Sequence, residues 1–556
     1  MTIARAGRTE IRSYAGDATD VSLLSGWLSD QRVLEWFEGR DRPHSAEQVR
    51  RRFAPEVLAA SQVRAGIIND GGWPVGFVQW YPIAADAREY EWHDDAEGVW
   101  GVDLFLGDPA RWGRGLGTAA LTVLVDHLVV TERARSVVID PWVGNDRAIR
   151  SYEKVGFRRL KVLAEHEVHE GEARDCWSMV LDARDHVVGL TAHLASIDSV
   201  NPDLVPGAPG EAAMADAVAA WAAAHGLEVH RQEVAPGRHN VVCIRRGSGT
   251  GRSLLFNGHL DTVGVGNPST AEVRLGDGRL EGRGVLDTKG GLAAALLAVA
   301  SFADGELAGD VIVAGTADEE FASIGTAALV REWGADGAVV LEPTEATVIS
   351  RHRGFAVVEV ELLGRAAHTS RPERGINAVH AAARVVEALR VLDERWAAGA
   401  DPVERPAVLV SGVHSDGETF TVPARCRVTV EVRTTAGSPG EQVGEVMRVI
   451  AGAAGEADLS SRVTLARPPV ALASDHPFVL TVCAAVGRAE HREAVVAAAP
   501  YWTDAALHMA AGTPTVVFGP RGEGLHEDLE WVSTDSLRRV ASALTGLTRA
   551  WCSEER

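Results

Sequence analysis

Gly258-His259-Leu260-Asp261-Thr262, Gly284-Val285-Leu286-Asp287-Thr288-Lys289-Gly290-Gly291, Asp318-Glu319-Glu320 and Leu341-Glu342-Pro343-Thr344 punctuate one stretch of this 556-residue chain. Each imidazole or acidic group follows an apolar run: LLF before His259, VIVAG before Glu319, AVVL before Glu342. Such runs read as strands buried on both faces of a parallel sheet. Ligands of such sheets bind beyond the carboxyl ends of the strands, where these groups fall. An imidazole and several carboxylates on one rim suit zinc better than calcium or magnesium. A two-metal hydrolytic site needs a bridging carboxylate, terminal ligands for each ion and a free base. Glu319 and Glu320 can supply one base and one ligand, and His526, after the strand-like TVVFGP, can close the second position.

These blocks, in this order and with the late histidine, resemble the zinc aminoacylase, acetylornithine deacetylase and succinyl-diaminopimelate desuccinylase family over roughly Val187 to Leu547. The resemblance implies that His259 and Glu342 bind one zinc ion, Glu320 and His526 the other, and that Asp287 bridges them. Cobalt or manganese could replace zinc. It also implies that Asp261 orients His259 and that Glu319 is the general base. Glu at the position of Glu342 goes, in the family, with deacylases and carboxypeptidases, which favours an N-acyl amino acid as substrate.

Outward from this stretch, residues from about 351 to 467 change pattern to strand, helix, strand, strand, helix, strand, which predicts a ferredoxin-like (α+β) insertion. By resemblance this insertion is a lid that dimerises. His368 would donate to an oxyanion, reaching a neighbouring subunit's site. Arg433 would bind a substrate carboxylate, with Asn377 beside the substrate. The family carries Asn three residues before the Pro of its VP motif, whereas Phe420 precedes Thr421-Val422-Pro423 here. That exchange removes a polar contact and adds a ring.

Residues 1–183 carry a different signature. Arg111-Trp112-Gly113-Arg114-Gly115-Leu116-Gly117-Thr118 precedes the apolar run AALTVLVDHLVV. A glycine-rich turn opening a helix presents N–H groups to an anion such as pyrophosphate. With Asn145 to Phe157 (NDRAIRSYEKVGF) it resembles the GNAT acyltransferases. Through GWLSDQRVLEWFEG, GVDLFL and IDPWVG the likeness narrows to the aminoglycoside 6'-N-acetyltransferases. The resemblance implies acetyl-CoA as co-substrate, held by the glycine loop and Asn145, and Tyr152 as proton donor to the departing thiolate. Asp103 would lie beside the reacting amine, Asp140 would meet a substrate ammonium, and Trp36 and Phe37 would wall the cleft. The acidic run from Glu89 to Glu97 is compatible with a loop around that cleft.

The fold expected is α/β: a GNAT domain (1–183), then a zinc-peptidase sheet domain (187–350 and 468–556) with the inserted lid (351–467). Its function is expected to be bifunctional, an N-acetyltransferase of a cationic amine joined to a di-zinc amidohydrolase. The alternative makes the second half a zinc carboxypeptidase or dipeptidase and the first an acetyl-CoA-binding regulatory or dimerisation module. A net charge of −22 argues against nucleic-acid and anionic-membrane partners, and small molecules are the expected substrates. A homodimer through the lid is what the family resemblance implies. Five cysteines without CxxC spacing and the absence of an apolar leader point to the cytoplasm.

Overall fold

The computed structural model describes every residue except Met1, Gly7, 84–97, Arg133, Val265, 267–271, 399–400, 402–403 and 554–556. The acidic run from Glu89 to Glu97 lies outside the described residues. The chain divides into two compact units. One comprises Met1–Gly251, Gly258–Ala322 and Pro520–Arg556, the other Arg252–Asn257 and Ser323–Gly519.

The first unit opens with an eight-stranded sheet: β1 (Thr2–Ala6), β2 (Thr9–Ser13), β3 (Arg64–Asp70), β4 (Trp73–Pro82), β5 (Val99–Leu106), β6 (Ser136–Ile139), β7 (Arg158–His169) and β8 (Glu172–Asp182). Their order is β1-β2-β3-β4-β5-β6-β8-β7. Successive residues face opposite sides of a strand. Accordingly Ile67 and Phe77 enter one apolar cluster, whereas their neighbours Ile68 and Val78 enter another with Leu121, Leu124 and Leu128 of the helix Leu116–Val130. Only β5 and β6 run parallel, and they pair only from Val99–Ser136 to Gly101–Val138. Beyond Gly101, β5 continues against β4 alone as far as Leu106. The sheet therefore parts between Val102 and Ile139, and the residues just past the split, Asp103 and Asp140, flank an opening.

The helix His186–Ala195 carries the chain onward from this sheet. Its first residue places Nε2 2.5 Å from the carboxylate of Asp126, on the helix Leu116–Val130. Asp185, just before it, pairs with Arg538 on the helix Thr534–Cys552. In the same unit, strands Glu228–Ala235, Arg238–Arg245 and Val311–Thr316 form an antiparallel ladder. Val311–Thr316 is buried at every position, as an uninterrupted apolar run requires. The strand Leu254–His259, equally buried, leads the chain back into this unit at Gly258.

In the second unit, residues Leu255–Asn257 of that strand pair in parallel with Ala338–Val340, which pairs in parallel with Thr515–Val517. An excursion of strand, helix, strand, strand, helix, strand runs from Gly354 to Arg467. Its strands lie antiparallel in the order Ala407–Ser415, Arg425–Thr434, Gly354–Leu363, Asp458–Arg467. Gly354–Leu363 alternates strictly, with Ala356, Val358, Val360 and Leu362 buried. These residues pack with Ala381, Val385 and Leu389 of the helix Ala378–Ala397 and with Val446 and Ile450 of Pro439–Ala453. One apolar face per strand is what a sheet covered on a single side needs.

Candidate active sites

Past the split between β5 and β6 lies a cavity of about 800 Å³, and Asp103, Asp140, Tyr152, Trp36, Phe37, Gly113, Gly115, Gly117, Thr118 and Asn145 all contribute to its wall. Gly115 stands at the N-terminus of the helix Leu116–Val130 with φ +79°, a left-handed conformation that suits glycine. Gly113 does the same at φ +73°. The turn thus places the N-terminus of this helix in the cavity wall. Thr118 shares a 2.7 Å hydrogen bond with Ser151. Asn145 caps the helix Asp146–Val155, its side-chain oxygen accepting from Ala148 N–H at 3.2 Å. Arg111 lies 3.5 Å from both Asp70 and Asp108, and Arg114 is exposed. Arg147, which the sequence reading did not single out, lies over the rings of Trp112 at 4.2 Å and Trp36 at 5.7 Å.

Burial raises the Asp103 carboxyl to about 6, although Gln79 Nε2 donates to it at 2.8 Å. Asp140 accepts from His166 Nε2 at 2.8 Å. Tyr152 is buried on the helix Asp146–Val155. Burial, with the negative charges of Asp103 and Asp140, pushes its phenol well above the ordinary range, so it stays protonated. A carboxyl raised by burial and a protonated phenol therefore face one cavity.

The second cluster belongs to Gly258–Ala322 and Pro520–Arg556. His259 ends its strand buried, and its Nδ1 donates to the Asp261 carbonyl at 2.9 Å. That bond fixes the tautomer and directs Nε2 at Asp287 Oδ1, 3.0 Å away. His526 Nε2 lies 3.1 Å from Glu320 Oε2 and 3.4 Å from Asp287 Oδ2. Asp287, Glu320 and His526 thereby offer ligand atoms within 4.8 Å of one another. Hydrogen bonds donated by its ring to the Asp287 and Glu320 carboxylates raise the His526 imidazole to about 10. Burial opposes the charge of Asp287, but His259 and His526 outweigh it and hold this carboxyl far below its usual range. Imidazole and carboxylate donors converging on one small volume, with one tautomer fixed from behind, fit divalent cations of the zinc class.

The Asp261 carboxylate, expected to orient His259, lies 3.6 Å from its Nδ1 and makes its hydrogen bonds elsewhere in the cluster. Its oxygens accept from Glu319 N–H at 3.1 Å, Glu320 N–H at 3.2 Å and Asn201 Nδ2 at 2.8 Å. Burial works against its charge, yet His259 and Asn201 hold the carboxyl below its usual value. Asn201 also donates to Asp318 at 2.9 Å, and Arg238 reaches Asp318 at 3.1 Å while gripping the buried Glu211. Sequence reasoning gave no role to Asn201, Arg238 or Asp318. Asn201 within SVNP and the residue just before Glu319-Glu320 were the available signals. Asp318 (φ +68°) and His526 (φ +61°) hold left-handed backbone. For non-glycine residues that costs about 1–3 kcal/mol each and concentrates at functional sites.

The remaining expected residues lie in the second unit. Glu342 is buried just past Ala338–Val340. His368 is exposed, its Nδ1 2.9 Å from Ser370 Oγ. Asn377 caps the helix Ala378–Ala397, its oxygen accepting from Val379 and His380 N–H. Arg433 lies over the Phe355 ring at 5.5 Å. Phe420 is 72% exposed at φ +70°, and its carbonyl accepts from Thr369 N–H at 3.0 Å, beside His368.

Comparison with known proteins agrees with both halves. The model for peptidase family M20/M25/M40 matches residues 255–550, and that for the acetyltransferase (GNAT) domain matches residues 17–164. Acetylornithine deacetylase of Myxococcus xanthus is 32% identical over 331 residues, 56% of this chain and 84% of that protein. Aminoglycoside N(6')-acetyltransferase type 1 of Klebsiella pneumoniae is 33% identical over 141 residues, 25% of this chain and 70% of that protein. Among solved structures, a dinuclear metal binding peptidase from the M20 family of Bacillus subtilis covers 66% of this chain and 98% of its own, with TM-score 0.52 and 15% identity, a likeness of fold. A metal-ligand cluster behind a glycine-loop acetyltransferase fold, with both family models matched in that order, makes this chain a member of peptidase family M20/M25/M40 that carries an N-terminal GNAT-type acetyltransferase domain.

Proposed function

We propose that the chain is bifunctional: an acetyl-CoA-dependent N-acetyltransferase of a cationic amine in residues 1–183 and an N-acyl amino acid amidohydrolase in the remainder, with residues 351–467 as a lid that also dimerises. The relatives named for aminoglycoside acetylation and acetylornithine deacetylation support the two substrate classes. The convergence of His259, Asp287, Glu320 and His526 carries the hydrolase half.

In the transferase, Asp103 takes the proton from the substrate ammonium while its nitrogen forms the new bond to the thioester carbonyl. The C–S bond breaks, and Tyr152 gives its proton to the leaving thiolate. Asp140 and Trp36 hold the rest of the amine. Gly113, Gly115, Gly117 and Thr118, with Arg111, Arg114 and Asn145, serve the pyrophosphate end.

In the hydrolase, two divalent ions, taken here as zinc, would supply Lewis acidity and a lowered water pKa. His259 and Glu342 would hold one, Glu320 and His526 the other, with Asp287 between. Glu319 takes the proton from the attacking water and returns it to the amide nitrogen as the C–N bond breaks. Asp261 keeps Glu319 and Glu320 in register through their backbone N–H groups. His368 donates to the developing oxyanion, and Arg433 and Asn377 receive the amino acid portion. A soluble, cytoplasmic homodimer acting on small molecules is the setting proposed.

The test is a pair of variants on a panel of N-acetyl amino acids. Glu319→Gln is expected to keep its metal and lose about 10²–10⁴-fold in turnover, whereas Glu320→Gln loses metal. Equal metal loss in both, or no hydrolysis of any N-acyl amino acid by the zinc-loaded wild type, overturns the reading.

A further inference from the structure

The loop that presents Asp287, residues 282–288, has neither helix nor strand to satisfy its backbone. Buried N–H groups without partners are costly, so something must accept from this loop. That acceptor is Glu530. Its Oε1 receives the N–H of Leu286 at 2.9 Å and of Asp287 at 3.1 Å, and its Oε2 receives Gly284 N–H at 3.0 Å. Arg283 Nη1 completes the set on Oε2 at 2.9 Å. Glu530 is 3% exposed. Burial raises its carboxyl, and the nearby charge of Asp287 adds to the rise.

Glu530 stands four residues after His526. Between them, the Glu527 carbonyl accepts from Arg283 Nη2 at 2.6 Å. Below, Leu280 pairs with Val532 and Glu281 with Trp531 in an antiparallel ladder, while Gly282 N–H donates to the Glu530 carbonyl at 3.0 Å. One short segment therefore carries His526 and, through one carboxylate, grips the backbone of Asp287. Arg283 ties both ends of that segment to the loop.

We propose that Glu530, assisted by Arg283, is a positioning residue that sets the Asp287 loop against His526 before any ion binds, so that the spacing of these two ligands is built into the chain. The inference rests on the metal-centre reading above. It does not make Glu530 a ligand, since its four contacts are all with N–H groups of this loop. A glutamine at 530 would fill the same space but turn an –NH₂ toward donors that need an acceptor.

Two measurements decide it. Hydrogen exchange on metal-free wild-type protein is expected to show the amides of Gly284, Leu286 and Asp287 already protected. Exchange at unprotected rates without metal, with protection gained only on adding zinc, would mean that the ion shapes the loop and would overturn the proposal. In equilibrium dialysis against buffered zinc, Glu530→Gln is expected to bind at least one ion about 10–100-fold more weakly, and Arg283→Lys to lose less. A folded Glu530→Gln protein, by circular dichroism and gel filtration, with the wild-type isotherm also overturns it. Where that variant does not fold, the exchange result on the wild type stands as the deciding one. Failure of the wild type to bind two ions counts against the metal centre itself, while the exchange pattern still reports on Glu530.

Discussion

Asp103 and Asp140 are both carboxylates at the parted end of one sheet, yet the chain treats them differently. Asp140 has an imidazole against it, His166 at 2.8 Å. Asp103 has a neutral amide, Gln79, and burial dominates, lifting it to about 6. A base must be ionised to accept a proton, so in its proposed role Asp103 would be competent above about pH 6 and silenced below it. The acetyltransferase kcat/KM is therefore expected to fall on the acid side with a midpoint near 6. Asp103→Asn should lower the rate by about 10²–10⁴-fold and abolish that limb, with hydrolysis unchanged. A pH–rate profile of thiol release checks both. An acid limb persisting in the variant would assign it to another group. Asn377 teaches a related point. Its oxygen is committed to two helix N–H groups, so only its amide nitrogen is available to a substrate.

At the scale of elements, the helix Leu116–Val130 owes its role to the residue before it. Gly115 sits at φ +79° with no atom within 4 Å of where a Cβ would stand. An alanine there meets backbone strain rather than a clash, a cost of about 1–2 kcal/mol. The helix end, part of the cavity wall, is expected to shift instead. Gly115→Ala should raise KM for acetyl-CoA by about tenfold while kcat changes little, as initial rates across acetyl-CoA concentrations will show. A fall in kcat with KM unchanged would place the loop's contribution in the chemical step. The same helix carries Asp126, ion-paired with His186, so this element also fastens the first sheet to the helix His186–Ala195.

For the whole molecule, among the described residues the groups that could hold a metal lie after residue 258, and the cavity beside Asp103 and Asp140 is walled by residues before 175. Brief chelation is expected to abolish amide hydrolysis and leave acetyl transfer unchanged; parallel assays on one treated sample are the check. Loss of both activities with the circular dichroism intact would show that the two sites are not independent. Among the described residues, no helix is long and apolar enough to cross a membrane.

Local pattern along the chain was enough to place strands and the groups at their ends. Uninterrupted apolar runs marked strands such as Val311–Thr316, buried at every position, and strict alternation marked Gly354–Leu363, buried on one face. The acidic and imidazole groups at strand ends were legible for the same reason, because side-chain period and chain direction are local properties. Asn201, Arg238 and Glu530 were not legible as partners. Asn201 meets Asp261 across 60 residues of chain and Glu530 meets Leu286 across 244. Contacts over such separations leave no periodic trace in either segment. Only folding decides which buried N–H lacks an acceptor, and which distant carboxylate comes to supply it.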